Sequence, residues 1–437
     1  MSFARYPEYK DSGVAWLGEV PGHWAVLQGR RLFSQVREQA RPTDDQLSAT
    51  QKYGVIPQKL FMELEDQKVT LALNGLENFK HVESDDFVIS LRSFQGGVER
   101  SKYPGCVSPA YTVLRSIAPV IESYWGYLLK SNEYIEALQS MTDGIRDGKT
   151  ISYQQFGQIP LPVPDLFEQT QIAAFLDRET AKIDALVAQQ RRLMELLKEK
   201  RQAVISHAVT RGLNPEAPMK PSGLEWLGDV PEHWEVKRLK HISPFITVGI
   251  VVNPSTYVSD DGFPFIYGGD IREGVIDWEN SRRISSDSSD ANAKTRLREG
   301  DLLTVRVGAP GITAVVPVEC EGGNCASVML VRKGHFNSHW LCFAMNTRMV
   351  RFQVEVVQYG AAQEQFNISH AINFWIATPP QSEQDEIAVF LAAEAAKFDT
   401  LTTEAQHAID LLQERRTALI SAAVTGQIDL RQTNHQP

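Results

Sequence analysis

The 437 residues include only four cysteines, too few and too scattered for a disulfide framework. Cys320 and Cys325 lie close together in CEGGNC, but no second Cys/His pair at zinc-finger spacing accompanies them. They read as free thiols in or near a strand. No run of about eighteen apolar residues occurs, which excludes a membrane-spanning helix. The opening MSFARYPEYKDSG lacks the apolar core of a signal peptide, so a cytoplasmic location is expected. Positive charge is also short. A net charge of −10 means that any DNA binding needs local basic patches on an acidic body. Glycine fingerprints for dinucleotide or methyl-donor folds are missing, as are an Asn-Pro-Pro-Tyr-type tetrapeptide for base methylation and an acidic-x-Lys run of nuclease type. DGIRDGKT, from Asp143, has three residues between Gly144 and Gly148 where a P-loop needs four, and no apolar strand precedes it. The sequence therefore presents no catalytic motif.

What it does present is repetition. SGVAWLGEVPGHW, from Ser12 to Trp24, returns as SGLEWLGDVPEHW from Ser222 to Trp234, an offset of 210 residues. EQTQIAAFLDRETAKIDAL, from Glu168, returns as EQDEIAVFLAAEAAKFDTL from Glu383, an offset of 215. The first copy runs on to LLKEKRQAVISHAVT and the second to LLQERRTALISAAVT. Between the signatures, roughly 25–150 and 235–367, no alignment emerges. A repeated frame with divergent middles suits a chain whose halves do the same job on different targets. His23 and His233 recur beside Trp24 and Trp234; a histidine next to a buried tryptophan reads as a packed structural element rather than a catalyst.

The repeated tails predict long helices. Apolar residues at Ile172, Leu176, Ile183, Leu186, Leu193, Leu197 and Val204 alternate by three and four, a heptad seam interrupted by Glu179, Gln190 and Lys200. The second copy repeats it with Ile387, Leu391, Phe398, Leu401, Leu412 and Leu419. Neither tail contains Gly or Pro, and each follows a proline-bearing start, PLPVPDLFEQ or TPPQSEQ. A helix of about 40 residues is about 60 Å long, more than a compact domain of this size needs. The short link LNPEAPMKPSG makes an antiparallel helix pair the economical packing.

The expected fold is α/β (α+β). Two globular domains, 1–164 and 214–379, alternate with spacer helices, 165–213 and 380–428, before a flexible tail, 429–437. Together they form a dumbbell with an internal pseudo-two-fold repeat. Within the middles, DDFVISLRSF and GDLLTVRVG read as strands, whereas WGYLLKSNEYIEALQSM and HWLCFAMNTRMVRFQVEVV have helical period.

Candidate DNA-contacting residues sit in glycine-bearing loops, where the backbone can approach a duplex and guanidinium groups can meet phosphates or fork onto guanine. In the first middle they are Arg92, Arg100, Lys102 and Tyr103, followed by Arg146, Lys149 and Ser152 in GIRDGKTIS. The second middle offers Arg306, just past GDLLTV, together with Gln363 and Gln365, whose amides suit adenine edges. A basic stretch in the first tail (Arg191, Arg192, Lys198, Lys200, Arg201 and Arg211) fits a solvated face or protein interface as well as DNA.

The duplicated SGxxWLGxVPxHW opening and the duplicated EQxxIAxFLxxExAKxD tail, ending in AVT, resemble the Type I restriction specificity subunit, or HsdS, family. The resemblance covers essentially the whole chain, and GKTISYQQFGQIPLPVP and LREGDLLTVRVGAPG are also similar to segments of that family's target-recognition domains. It implies a non-catalytic subunit that reads a split site on double-stranded DNA, its helices fixing the unread gap. It also implies docking of two methyltransferase subunits and, through them, restriction/translocase subunits. S-adenosylmethionine, ATP and Mg are then expected in those partners, with no cofactor or metal in this chain. Two other readings remain open: the specificity subunit of a related methyltransferase or restriction system, and a coiled-coil scaffold without DNA readout.

Overall fold

A computed structural model describes residues 3–66, 76–140, 151–358 and 366–431. The chain divides into two compact units, Met1–Gln190 with His407–Pro437, and Arg191–Gln406. Two long helices, Leu166–Arg211 and Gln381–Val424, each contribute to both units. No helix among the described residues is long and apolar enough to cross a membrane.

The first unit opens with an antiparallel hairpin, Tyr9–Asp11 against Glu19–Pro21. Strand Ala25–Gln28 then pairs with Pro160–Val163, so the two ends of the divergent middle are fastened together. Inside that clamp lies a four-stranded sheet in the order Phe33–Val36, Thr112–Ser116, Phe87–Ile89, Glu99–Arg100. Its apolar face meets Trp125, Tyr134 and Phe156, all fully buried, and the beginning of the first long helix at Ile172 and Leu176. The end of the second long helix, Leu419 to Val424, closes the same core. Burying each such aliphatic side chain stabilises by roughly 1.5–3 kcal/mol, which ties the helix ends to the globular part.

The second unit repeats the plan. Its hairpin is Met219–Pro221 against Asp229–Pro231, and its clamp is Glu235–Arg238 against Trp375–Thr378. Its four-stranded sheet runs Ile246–Val248, Met329–Val331, Leu302–Thr304, Thr313–Val315. The connectivity of the two sheets is therefore the same (first strand, last strand, then an inner hairpin), although their sequences do not align. The second unit adds a further four-stranded sheet, Val258–Ser259, Arg282–Ile284, Phe263–Ile266, Asn324–Cys325, which the first lacks among its described residues. Both sequence stretches of helical period are divided in two, at 129–131 and 346–347. In the second, Asn346 turns its side chain onto Thr313, accepting from its N–H at 3.0 Å and donating to its carbonyl at 2.8 Å.

Each unit contains an antiparallel helix pair, whose seam departs from the sequence reading by one residue. From Ile183 the buried row continues to Val187 (9% exposed), while Leu186 and Leu193 stand 44% exposed. In the second helix Phe398 is followed inward by Ala405 and Ile409, and Leu401 is 46% exposed. Leu186 and Leu401 thus leave the seam because the packed step is four residues where three was expected. Ile172, Leu176, Ile183, Ile387, Leu391 and Phe398 are buried, and Leu197 and Leu412 half-buried. Repeated charges pair in each unit: Asp184 with Arg416 at 3.4 Å in the first, Asp399 with Arg201 in the second. Such exposed pairs add little stability; they mark register. Gly212 and Gly426, both at φ 77°, stand just past the helix ends in the left-handed region that stops a helix. Leu430 is buried, Asp429 N–H donates to the Ala4 carbonyl at 2.8 Å, and the Arg431 guanidinium lies over the Tyr6 ring. These three residues are fastened to the first unit, with Leu430 in its core, where a loose tail was expected from 429.

Candidate nucleic-acid interface

The repeated frame resolves into a latch. In the first unit the Glu168 carboxylate, in the first turn of the long helix, accepts from Trp24 Nε1 at 3.0 Å and bonds His23 Nε2 at 2.8 Å. In the second unit Glu383 bonds Trp234 Nε1 at 2.9 Å and His233 Nε2 at 2.8 Å. Gln169 and Gln384, next in sequence, each cap a proline carbonyl (Pro164 and Pro379) at 2.9 Å. The histidine–tryptophan pairs therefore position the helices.

A second recurring pair carries the sheets. Asp86, just before Phe87–Ile89, takes both guanidinium arms of Arg115 at 2.8 Å and the Glu83 N–H at 2.8 Å. Asp301, just before Leu302–Thr304, takes Arg332 at 2.5 Å and the Arg298 N–H at 2.9 Å. Burial pushes the Asp301 carboxyl above its ordinary range, against the pull of its hydrogen bonds and Arg332. Sequence reading missed both pairs, although an acidic residue directly before a short strand-forming triplet is visible in SDDFVI and EGDLLT.

The candidate contact residues fare differently. Arg92 starts the short helix Ser93–Gly96, in a turn held by Ser93 Oγ accepting from the Ser90 N–H at 2.9 Å, and its side chain is exposed. It lines an open recess of ≈ 510 Å³ shared with Lys52, Tyr53, Phe61 and Glu99. Gly97, at φ 77°, forms part of the wall; a Cβ there would lie 2.2 Å from the Leu129 carbonyl. Within the recess Lys52 stacks over Tyr53 at 4.7 Å, and both bond Glu65. Glu99 is held by Lys130 at 2.7 Å, and burial pushes its carboxyl up to about 7. Lys102 and Tyr103 are exposed nearby in sequence.

Arg100 instead places two guanidinium nitrogens on Asp85, at 2.8 and 2.5 Å. Ser152 accepts from the Gln155 N–H and donates to its side chain in a capping box, so its hydroxyl serves the helix Tyr153–Gln158. Arg306 is half-buried, its Nε donating to the Phe366 carbonyl at 3.1 Å, and burial lowers its pKa. Arg282, unnoticed in the sequence, stacks over Tyr267 at 4.2 Å with its side chain exposed. Arg146, Lys149, Gln363 and Gln365 lie outside the described residues. All four cysteines are buried free thiols.

A family model described as the Type I restriction modification DNA specificity domain matches residues 32–194. The specificity subunit of the EcoBI Type I restriction enzyme of Escherichia coli is 26% identical over 309 residues, 68% of this chain and 64% of that protein. Over these stretches the chain is similar to the specificity subunits of Type I restriction-modification systems. It thus spans somewhat less than two thirds of this relative's length. In fold, the chain is similar to one in a structure described by complex assembly and conformational transition of the type I R-M system. The TM-score is 0.70 at 15% identity, covering 93% of this chain and 98% of that one. The HsdS subunit of Thermoanaerobacter tengcongensis gives a TM-score of 0.54 at 16% identity, covering 94% and 98%. As a family, specificity subunits are generally non-catalytic; in this chain His23 and His233 are latched to Glu168 and Glu383.

Proposed function

We propose that this specificity subunit reads the two parts of a bipartite double-stranded DNA site, one with each globular segment (1–164 and 214–379). The long helices act as the spacer between the parts. They also dock two methyltransferase subunits, through which restriction/translocase subunits join. Base methylation, ATP hydrolysis and their cofactors, S-adenosylmethionine and Mg, reside in those partners. One observation carries the reading: the same latch and clamp recur in both units around middles whose sequences have diverged. A frame preserved while its contents change is what two readers of different targets require.

The contacts proposed for the first reader are Arg92, Lys102 and Tyr103, with Lys52 and Tyr53 in the recess, together with Arg146 and Lys149; Arg100 has only the donors that Asp85 leaves free. For the second they are Arg306, Gln363 and Gln365. The exposed apolar residues Leu186, Leu193, Leu401 and Leu411 are proposed to meet the methyltransferases. The test is co-purification with candidate methyltransferase subunits followed by binding to duplex libraries. Capture of a gapped consensus sequence by the complex supports the proposal. A complex that forms and binds no sequence above random duplex would make the chain a scaffold.

A further inference from the structure

The first unit carries a donor cluster that DNA reading does not use. His81 and Glu83 alternate with Val82 at the end of strand Lys80–Val82, so both side chains fall on one face. The preceding segment runs antiparallel to them, with the His81 N–H donating to the Glu38 carbonyl at 2.9 Å. His81, Glu38 and Glu83 thereby bring one ligand atom each within 4.8 Å of one another. His81 is 2% exposed, whereas both glutamates face solvent.

The imidazole is oriented from behind. Nδ1 bonds Asp44 Oδ2 at 2.8 Å, and the same carboxylate oxygen accepts the Arg41 N–H at 2.8 Å. A carboxylate can only accept here, so Nδ1 carries a proton, and in the neutral imidazole the lone pair sits on Nε2. Nε2 is buried and has no hydrogen-bond partner. A buried acceptor left bare is unfavourable, and a carboxylate behind an imidazole is the arrangement that orients metal-ligating histidines.

Charge leaves room for a cation. Arg115 and Arg41 are shared among Glu38, Glu83 and Asp86, and Asp44 adds a fourth carboxylate. Four negative charges face two guanidinium groups, an excess equal to one divalent ion. Arg115 remains anchored by both arms to Asp86 if Glu38 and Glu83 turn toward a metal.

We propose that His81 Nε2 and one carboxylate oxygen each from Glu38 and Glu83 bind a divalent first-row transition ion such as zinc, water completing its shell, with Asp44 as the orienting group. One imidazole and two carboxylates are a borderline donor set, suited to zinc and its neighbours rather than to calcium. The ion would pin residues 38–44 to strand Lys80–Val82, a structural role within the first reader.

The experiment uses the untagged full chain, stripped with a chelator and titrated with Zn²⁺ by calorimetry and with Co²⁺ by visible absorption. The wild type is expected to take up one ion per chain. The double variant Glu38→Gln, Glu83→Gln should lose affinity at least about ten-fold while keeping its circular dichroism, because both side chains are exposed. His81→Gln should behave alike if it folds; the glutamate pair decides if it does not. No uptake by the wild type, or equal uptake by the double variant, overturns the proposal.

Discussion

Replacing Glu168 by Ala should destabilise the first unit more than Glu383→Ala destabilises the second, although the two residues are repeat equivalents. The Glu168 side chain is 2% exposed and that of Glu383 22%. Removing Glu168 strands Trp24 Nε1, in a residue with no exposure, and an unmatched buried donor costs about 1–3 kcal/mol. Loss of a first-turn carboxylate adds about 0.3–1 kcal/mol through the helix dipole. His23 is 44% exposed and can rehydrate, so its bond contributes little to the difference. Relief from burying a carboxylate whose Oε1 makes no hydrogen bond, with Arg431 at 3.8 Å, offsets part of the loss. The net expectation is about 2–3 kcal/mol for Glu168→Ala. It is about 1 kcal/mol for Glu383→Ala, because water can reach the vacated position. Native-state hydrogen exchange, read on the core strands Phe87–Ile89 and Leu302–Thr304, separates the units where a single global melt would not. Equal losses in the two units, or a larger one for Glu383→Ala, would refute the latch as the source of the asymmetry.

Arg92→Ala, in complex with methyltransferase, should weaken cognate binding by about 1–3 kcal/mol relative to random duplex. Equal loss on both, measured by salt-controlled titration, would demote Arg92 to a phosphate contact. Glu99 is raised from 4.5 to about 7, so its folded form favours the proton. That stability is present below pH 4.5 and lost as pH climbs through 7, by at most roughly 3 kcal/mol. Urea midpoints from pH 5 to 8 should accordingly slope less in Glu99→Gln than in the wild type, and parallel slopes would contradict this. Val187→Asp should destabilise the helix pair by about 2–4 kcal/mol. Leu186→Asp should change stability by less than about 0.5 kcal/mol yet reduce methyltransferase capture in a pull-down, and the reverse ranking would contradict the seam described above.

The duplicated frame was legible because both copies are present in one chain: Trp24 and Trp234, or Glu168 and Glu383, could be matched without any other sequence. The long helices followed from heptad spacing. The seam slipped at Leu186 because Leu186 and Val187 are both apolar, and one-dimensional spacing does not say which of two neighbours faces inward. The shared sheet core stayed hidden for another reason. Strands as short as Phe87–Ile89 and Leu302–Thr304 demand only buried, mostly apolar residues on both faces, so identity is lost while topology stays. Candidate contacts chosen for residue type alone were diluted by intramolecular uses: Ser152 caps a helix and Arg100 pairs with Asp85, and nothing in the local string distinguishes these from free donors. The recess around Arg92 draws on Lys52, Tyr53 and Phe61, distant in sequence and brought there only by the fold.

The central claim is that each globular segment reads its own part of the DNA site. Exchange of residues 25–150 for the corresponding segment of another specificity subunit, followed by methylome sequencing of a host carrying the complete system, tests it most directly. The clamp strands Ala25–Gln28 and Pro160–Val163 mark where the middle is held, so the graft should keep their pairing. The account predicts that one half of the methylated site changes while the other half and the gap stay as before. Methylation with both halves altered, or with neither altered, would contradict it.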